Sequence, residues 1–432
     1  MLRITPLHHV SRFNNWTKLR PILRDWRIIP IIRKLFNIYN RFGLNYIDDL
    51  GCTHFHVGCE YGLEDVVQKF LKFGQDPNLL VQKTDNSPLY LALSHNGEEG
   101  VSRLLLKHGA DANLANKDGR TPLHVVGENY WNSTDMEIVF ELGEKCKPGQ
   151  VDARDKLGNT PLHLAVPSLF SNVKRVIRAL LEVDTNPNVA KGEGLTPMHI
   201  ISKRYQPDGL GESFLKFNDD VNQPVQLDAR DKLGNTPLHL AALWLDYKNF
   251  ELLLKNGANP NLTNENGDTP LHIILKTDRS YAMTLTFFNT NKEFNQSVQI
   301  DVRNKLGWTP LQFAEANLLP HLISLFLDNG ADQSRFVFPA ESYYAEKIVP
   351  WKHEKWLNYK LRIASCLMSV VESLENEGYE LDRSNALMVL KVFADYELFE
   401  KTADFEKYRY ARRRLAKKVK KAKNIKLKTK NV

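Results

Sequence analysis

Residues 152–165 read DARDKLGNTPLHLA, and residues 228–241 read DARDKLGNTPLHLA again, without one change. The fourteen residues describe a turn followed by the start of a helix. Gly158 supplies the positive φ that a tight turn needs. Thr160 offers a hydroxyl to the first free N–H groups of a helix. Pro161 occupies the first helical position, where a missing N–H costs nothing. Leu162 enters a core, and His163 is placed to bond polar groups at the seam with a neighbouring unit.

The last part of this stretch recurs along the chain. It reads TPLH at Thr5, THFH at Thr53, SPLY at Ser87, TPLH at Thr121 and Thr160, TPMH at Thr196, TPLH at Thr236 and Thr269, and TPLQ at Thr309. The intervals are 48, 34, 34, 39, 36, 40, 33 and 40 residues. Seven of the nine carry Gly two residues upstream, so turn and cap travel together. Each motif is followed by a second apolar segment, as in 101–106 and 250–254, closed by a Gly-containing stop such as Gly109 or Gly257. A period near ~33 residues with this core resembles the ankyrin repeat. The resemblance covers roughly residues 1–335 and implies a mainly α fold, an ankyrin-repeat solenoid of stacked helix pairs with β-turn/hairpin fingers. One helix pair buries its apolar face only against its neighbours, so the units must stack.

A longer period lies over the short one. Short repeats end at 109–113, 186–188 and 257–261, whereas the long ones lose the Gly stop and gain polar inserts at 147–151, 222–227 and 295–300. Inserts in such arrays map to loops, often on a binding face. This alternation, with THFHVGCEYGLEDVVQKFLKFGQDPN from Thr53, is similar to the long ankyrin proteins of poxviruses and parasitoid insects. Many of those end in an F-box-like PRANC segment, and the resemblance implies a substrate-recognition adaptor for a ubiquitin ligase as one function. The L-P-x-E-L stretch that marks the segment is absent, and the chain turns basic after about Phe399.

The sequence divides into a degenerate N-terminal repeat region over 1–50, an array over 51–335, a helical C-terminal cap over 336–404 and a basic tail over 405–432. In the cap, Leu357, Leu361, Ala364, Met368, Val371 and Leu374 form one helical stripe. Leu387, Leu390 and Phe393 or Ala394 form a second, with Ser384 as its cap. A cap is expected because the last repeat otherwise exposes its core. Trp351 and Trp356 are expected between cap and array.

Charge is segregated. The net charge is +7, yet thirteen Lys/Arg without an acid lie from Lys407 on, and residues 1–34 hold eight Lys/Arg against Asp25 alone. Residues 35–406 therefore carry a net charge of −13. The acidic body argues against specific nucleic-acid binding. No run of about 18 apolar residues exists to span a membrane. Four cysteines are too few for a disulfide framework, which fits a reducing compartment. The expected location is cytoplasmic, with nuclear import, and an import receptor as partner, as the functional reading of Arg412, Arg413, Arg414, Lys417, Lys418, Lys420 and Lys421.

Signatures of catalysis and cofactor binding are missing: no phosphate-binding glycine loop, nucleophile elbow, metalloprotease helix or dinucleotide fingerprint occurs. Cys52, His54, His56 and Cys59 lack structural-zinc spacing, and His56 is the histidine of its own motif. No cofactor or metal is expected. The function read from the residues is a non-enzymatic scaffold or adaptor that binds a protein partner through the turns and the concave face. Its candidate contacts are Arg154, Lys156, Arg230, Lys232, Arg303, Lys305 and Trp308 on the turns, and Gln223 and Gln296 on the long loops. The arginines occupy equivalent places in the long period, and a solenoid aligns such places in a basic row. In the competing arrangement, each arginine pairs with a carboxylate of its own turn, such as Asp155 or Asp231.

Overall fold

The computed structural model describes residues 4–9, 28–94, 99–128, 137–147, 149–168, 172–203, 209–277, 280–317, 319–332, 356–376 and 378–395. Trp351, the side chain of Trp356 and the tail over 405–432 lie outside them. Contacts divide the chain into two compact units, residues 1–232 and 233–432, so the division falls inside the array.

In the first unit, α1 (Ile29–Ile38) precedes five helix pairs. These are α2 (His54–Glu60) with α3 (Glu64–Lys72), α4 (Pro88–Ser94) with α5 (Glu99–Lys107), α6 (Pro122–Glu128) with α7 (Glu137–Lys145), α8 (Pro161–Ala165) with α9 (Val173–Glu182), and α10 (Pro197–Ser202) with α11 (Leu210–Asp220). First helices touch first helices, from α2 through α4, α6 and α8 to α10. Second helices follow the same order from α3 to α11. The second unit repeats the arrangement with α12 (Pro237–Leu243) and α13 (Tyr247–Lys255), α14 (Pro270–Leu275) and α15 (Ser280–Glu293), and α16 (Pro310–Ala316) and α17 (Pro320–Asp328). Each pair contributes aromatic and aliphatic side chains to the seam, such as Phe70, Phe214, Phe250, Phe287 and Phe326, all essentially without exposure. Burial against neighbours is what stabilises helices this short, because isolated five- to ten-residue helices do not persist in water.

The caps form as the sequence leads one to expect. Thr53, Thr160, Thr196, Thr236, Thr269 and Thr309 sit in extended backbone and form a reciprocal box with the third helical residue. Among the described residues no strand forms. The isolated bridge between Ile47 and Thr53 is the one β pairing named there, so the fingers are turns rather than ribbons.

Two sequence readings need correction. Two of the three long repeats keep a left-handed stop without glycine. Asn222 (φ 55°) and Asn295 (φ 51°) adopt the left-handed conformation that Gly257 (φ 88°) takes in a short repeat. The N–H groups of Gln223 and Gln296 then return to the carbonyls of Asn218 and Asn291, as Ala258 does to Leu253. Asparagine tolerates this region, so the stop survives without glycine. The second correction concerns the C-terminal helices α18 (Trp356–Asn376) and α19 (Arg383–Asp395). Asp382, not Ser384, caps α19, accepting the N–H of Asn385 at 2.7 Å. Its buried stripe is Ala386, Val389, Val392 and Phe393, while Leu387 is 55% exposed. The α18 stripe holds from Ala364 to Leu374, and α18 packs on α17, closing the second unit with a helical cap.

Candidate functional site

The fingers are the part of each repeat that reaches solvent, so their rigidity decides what they can do. Their frame is an Asx turn. Asp155 Oδ1 accepts the N–H groups of Leu157 (2.9 Å) and Asn159 (2.8 Å). Asn116, Asn264, Asn304 and Asp48 do the same in their own fingers. Burial pushes the Asp155 carboxyl upward, but its bonds from Asn159 and Leu157 and the charge of Arg120 outweigh this and hold it below the usual carboxylate range. Sequence reasoning credited the fingers to glycine and threonine and missed these residues. Their signal was a recurrent Asp or Asn five places before the cap.

Fingers are also joined to one another. In the first unit Lys83, Lys117, Lys156 and Lys232 donate their N–H to the carbonyls of Leu50, Thr84, Asp118 and Glu193. In the second, Glu265 and Lys305 donate to Leu233 and Asn266. This bond draws neighbouring backbones together, and a Cβ added to Gly267 (φ 73°) would lie 2.8 Å from the nitrogen of Lys305. Glycine is needed there for two reasons, the left-handed φ and the close approach. Where conformation alone matters, as before Ser87, Asp85 takes the position with φ 56°.

Beneath the fingers five motif histidines are engaged at both ring nitrogens. His163 Nδ1 accepts the N–H of Thr160 at 3.3 Å, and Nε2 reaches the carbonyl of Leu195 in the next repeat at 2.9 Å. His56, His124, His239 and His272 repeat the arrangement toward Leu79, Asn159, Asp268 and Trp308. A ring that accepts at one nitrogen and donates at the other is neutral and held as one tautomer. Burial lowers His54 to about 3 and His56 and His163 to about 4, and it lowers His124 and His272 as well. His54 stands beside His8, Phe36, Tyr39 and Tyr46, and its Nε2 lies 2.7 Å from Thr5 Oγ1.

On this frame the predicted contact residues fall into three groups. Lys156, Lys232 and Lys305 are exposed at the finger tips, as are Arg154, Arg230 and Arg303. Arg154 Nη1 donates to the carbonyl of Ala190, and Arg303 Nη1 to that of Gly307 at 2.7 Å, so these guanidinium groups are oriented by main-chain carbonyls. The carboxylate of Asp155 turns to its own finger and to Arg120 Nε at 3.5 Å. Trp308 is half-buried, its ring 5.0 Å from Phe313, which in turn lies under the ammonium of Lys276. Gln223 and Gln296 turn inward, donating to Asp184 Oδ1 (2.6 Å) and to the carbonyl of Leu254 (3.0 Å). They seal the long loops onto the preceding repeat.

Three further residues stand out that sequence reasoning passed over. Leu157, Leu233 and Leu306 are 72%, 66% and 71% exposed, each at a finger tip between the lysine and the glycine. Among the described residues no helix is long and apolar enough to cross a membrane, and no cluster of three or more His, Cys, Asp or Glu is arranged to hold a metal ion.

The family described as "Ankyrin repeats" matches in three copies, over residues 55–136, 96–191 and 168–264. Neurogenic locus notch homolog protein 1 of Cricetulus griseus is 27% identical over 208 residues, which are 48% of this chain and 6% of that protein. Ankyrin repeat protein T5 of rabbit fibroma virus is 25% identical over 289 residues, covering 59% of each. The crystal structure of the ankyrin repeat domain of Bcl-3 superimposes with a TM-score of 0.44 at 21% identity, over 54% of this chain and 99% of that one. The chain thus spans less than two thirds of the length of either sequence relative. Ankyrin repeats are protein–protein interaction modules. With nine copies of the motif in the sequence, stacked helix pairs and family matches that run from residue 55 to 264, the chain carries an array of ankyrin repeats.

Proposed function

We propose that this protein is a non-enzymatic scaffold or adaptor that holds a protein partner on its fingers. One observation carries the reading: the frame spends its buried polar groups on itself and leaves the finger-tip side chains to solvent. His56, His124, His163, His239 and His272 are bonded at both nitrogens, which leaves none of them poised as a general base. Arg154, Lys156, Arg230, Lys232, Arg303 and Lys305 are exposed on rigid turns, so little side-chain and loop entropy is lost on binding. Trp308, backed by Phe313, adds an aromatic platform of the kind that dominates interfaces.

Capture of a partner from native cells by the full chain, compared with the Arg154→Glu, Arg230→Glu, Arg303→Glu variant, tests the proposal. Loss of capture with an unchanged thermal transition is expected. Equal capture by both would place the contact surface elsewhere.

A second reading concerns location. The basic run from Arg412 to Lys421 supports import from the cytoplasm into the nucleus through an import receptor. Deleting residues 407–432 from a fluorescently tagged chain and imaging it tests this. Unchanged distribution would remove the tail from the account.

A further inference from the structure

We propose that the fingers bearing Leu157 in the first unit and Leu233 and Leu306 in the second are partner contacts, and that the pair in the second unit reads an acidic segment carrying aliphatic or aromatic anchors. The proposal rests on the protein-binding reading above and names the chemistry of the partner. From the finger before Thr121 to the last, the residue before the finger glycine alternates without exception: Asp118, Leu157, Glu193, Leu233, Asn266, Leu306. The fold asks nothing of that side chain. The N–H groups of Leu157 and Leu306 bond to the Asx residue of their own fingers, and the carbonyl of Leu233 accepts from the next. Asp118, Glu193 and Asn266 make the same main-chain bonds with polar side chains. A leucine about 70% exposed at a place that serves equally well with Asp, Glu or Asn has its apolar surface to offer to something outside the chain.

Charge fixes what that something is. Leu157 is flanked by Arg154 and Lys156, and Leu306 by Arg303 and Lys305. The Asp155 carboxylate within the first of these fingers is only 6% exposed and turned into the turn, so the outward field is positive. The guanidinium groups of Arg154 and Arg303 are already oriented by carbonyls, which preorganises them for a carboxylate. Against a body of net charge −13, such cationic tips attract an acidic segment.

Spacing follows from the stack. Consecutive repeats lie about 10 Å apart, the distance between packed helices. Leu233 and Leu306, with one finger between them, are therefore about 20 Å apart. An extended chain covers this in about six residues. The fitting ligand has apolar residues about six places apart, each beside Asp or Glu.

The test is selection of random twelve-residue peptides displayed on phage against the full-length protein. Enriched peptides are then measured by fluorescence anisotropy against the wild type and the Leu157→Asn, Leu233→Asn, Leu306→Asn variant. Asparagine is the native residue at 266, so the variant keeps its fold, which a melting curve verifies. Expected are apolar–acidic doublets about six residues apart, a roughly tenfold or greater loss of affinity in the variant, and weakening as salt rises. Enriched peptides without acids, or equal affinity for the variant, overturn the finger-tip proposal while leaving protein binding intact. No enrichment at all also overturns it, and the capture experiment then decides separately whether the chain binds proteins by another surface.

Discussion

At the scale of single residues, the histidines do the most with the least space. Burial disfavours protonation of five of them, His54, His56, His124, His163 and His272. An unfolded chain takes up these protons near 6.5, the folded chain only at lower pH. Between those values the unfolded state binds more protons, so this stability is complete above about pH 6.5 and is lost as pH falls toward about 4. Asp152 runs the other way, since burial raises it to about 6 and favours its protonated form in the fold below that pH. One carboxyl does not offset five imidazoles, so the melting temperature is expected to drop steeply between pH 6.5 and 4. Gln312 shows how to test the cause, because its Oε1 accepts the N–H of Thr309 at 2.9 Å in place of a histidine. His163→Gln keeps that bond, gives up the one to Leu195, and is expected to flatten the acid limb at a cost of about 1 kcal/mol at neutral pH. An acid limb as steep as before would show that the imidazole is not the group being titrated. Glycines give a second residue-scale prediction. Gly307 (φ 80°) has nothing within 4 Å of an added Cβ, whereas Gly267 meets the backbone of Lys305. Gly307→Ala is expected to cost about 1 kcal/mol and Gly267→Ala at least about twice that by urea denaturation. The sequence disclosed the left-handed turn at both positions. The close approach at one of them belongs to a neighbour that is 38 residues away in the chain, which no local pattern records.

At the scale of elements, the question is how short and long repeats share one stack. Four asparagines at the ends of short repeats answer it. Asn188 Nδ2 donates to the carbonyl of Pro224 at 2.8 Å, and its Oδ1 accepts the N–H of Gln226 at 2.7 Å. Asn261 holds Ser297 and Gln299 in the same way, Asn113 holds Lys145 and Lys147, and Asn78 holds Gly109 and Asp111. Where a long repeat precedes a short one, Asp152 takes over and accepts the N–H of Asn186. The polar inserts are thus latched onto the repeat before them. Asn188→Ala removes both bonds at once and is expected to cost about 1–3 kcal/mol. Amide exchange over 222–227 is expected to quicken well before the helices respond, and exchange that stays slow there would mean that the loop is held by other contacts. The alternation of short and long repeats was legible because it is written in spacing. The latch was less so, since an asparagine in the run Asn-Pro-Asn reads first as a turn former. The face of α19 was ambiguous for another reason: Leu387, Leu390 and Phe393 also fall at helical spacing, and tertiary burial, which takes Ala386, Val389, Val392 and Phe393, selects between the overlapping stripes.

At the scale of the whole molecule, stability is a property of interfaces between repeats, so damage should spread no further than its neighbours. The C-terminal cap makes the sharpest case. Leu322, Ile323 and Phe326 of α17 are buried without measurable exposure, and α18 lies against that helix with Leu367, Val370, Val371 and Leu374 equally buried. A polar outer face must close an array, or the last repeat presents its core to water. Truncation before residue 356 removes α18 and α19 together. The truncated chain is expected to lose protection from amide exchange in α16 and α17 first, and to bind a hydrophobic dye that the intact chain does not. Helices α2 to α8, in the other compact unit, should keep their protection. The comparison variant is Leu162→Ala, which empties a site with 0% exposure in the first unit and should cost about 2–5 kcal/mol there. If both lesions act locally, the two exchange maps will be complementary: α16 and α17 lost in one, α6, α8 and α10 in the other. A single cooperative collapse in either variant would mean that the two units fold as one, and that nearest-neighbour coupling is too weak a description of this array.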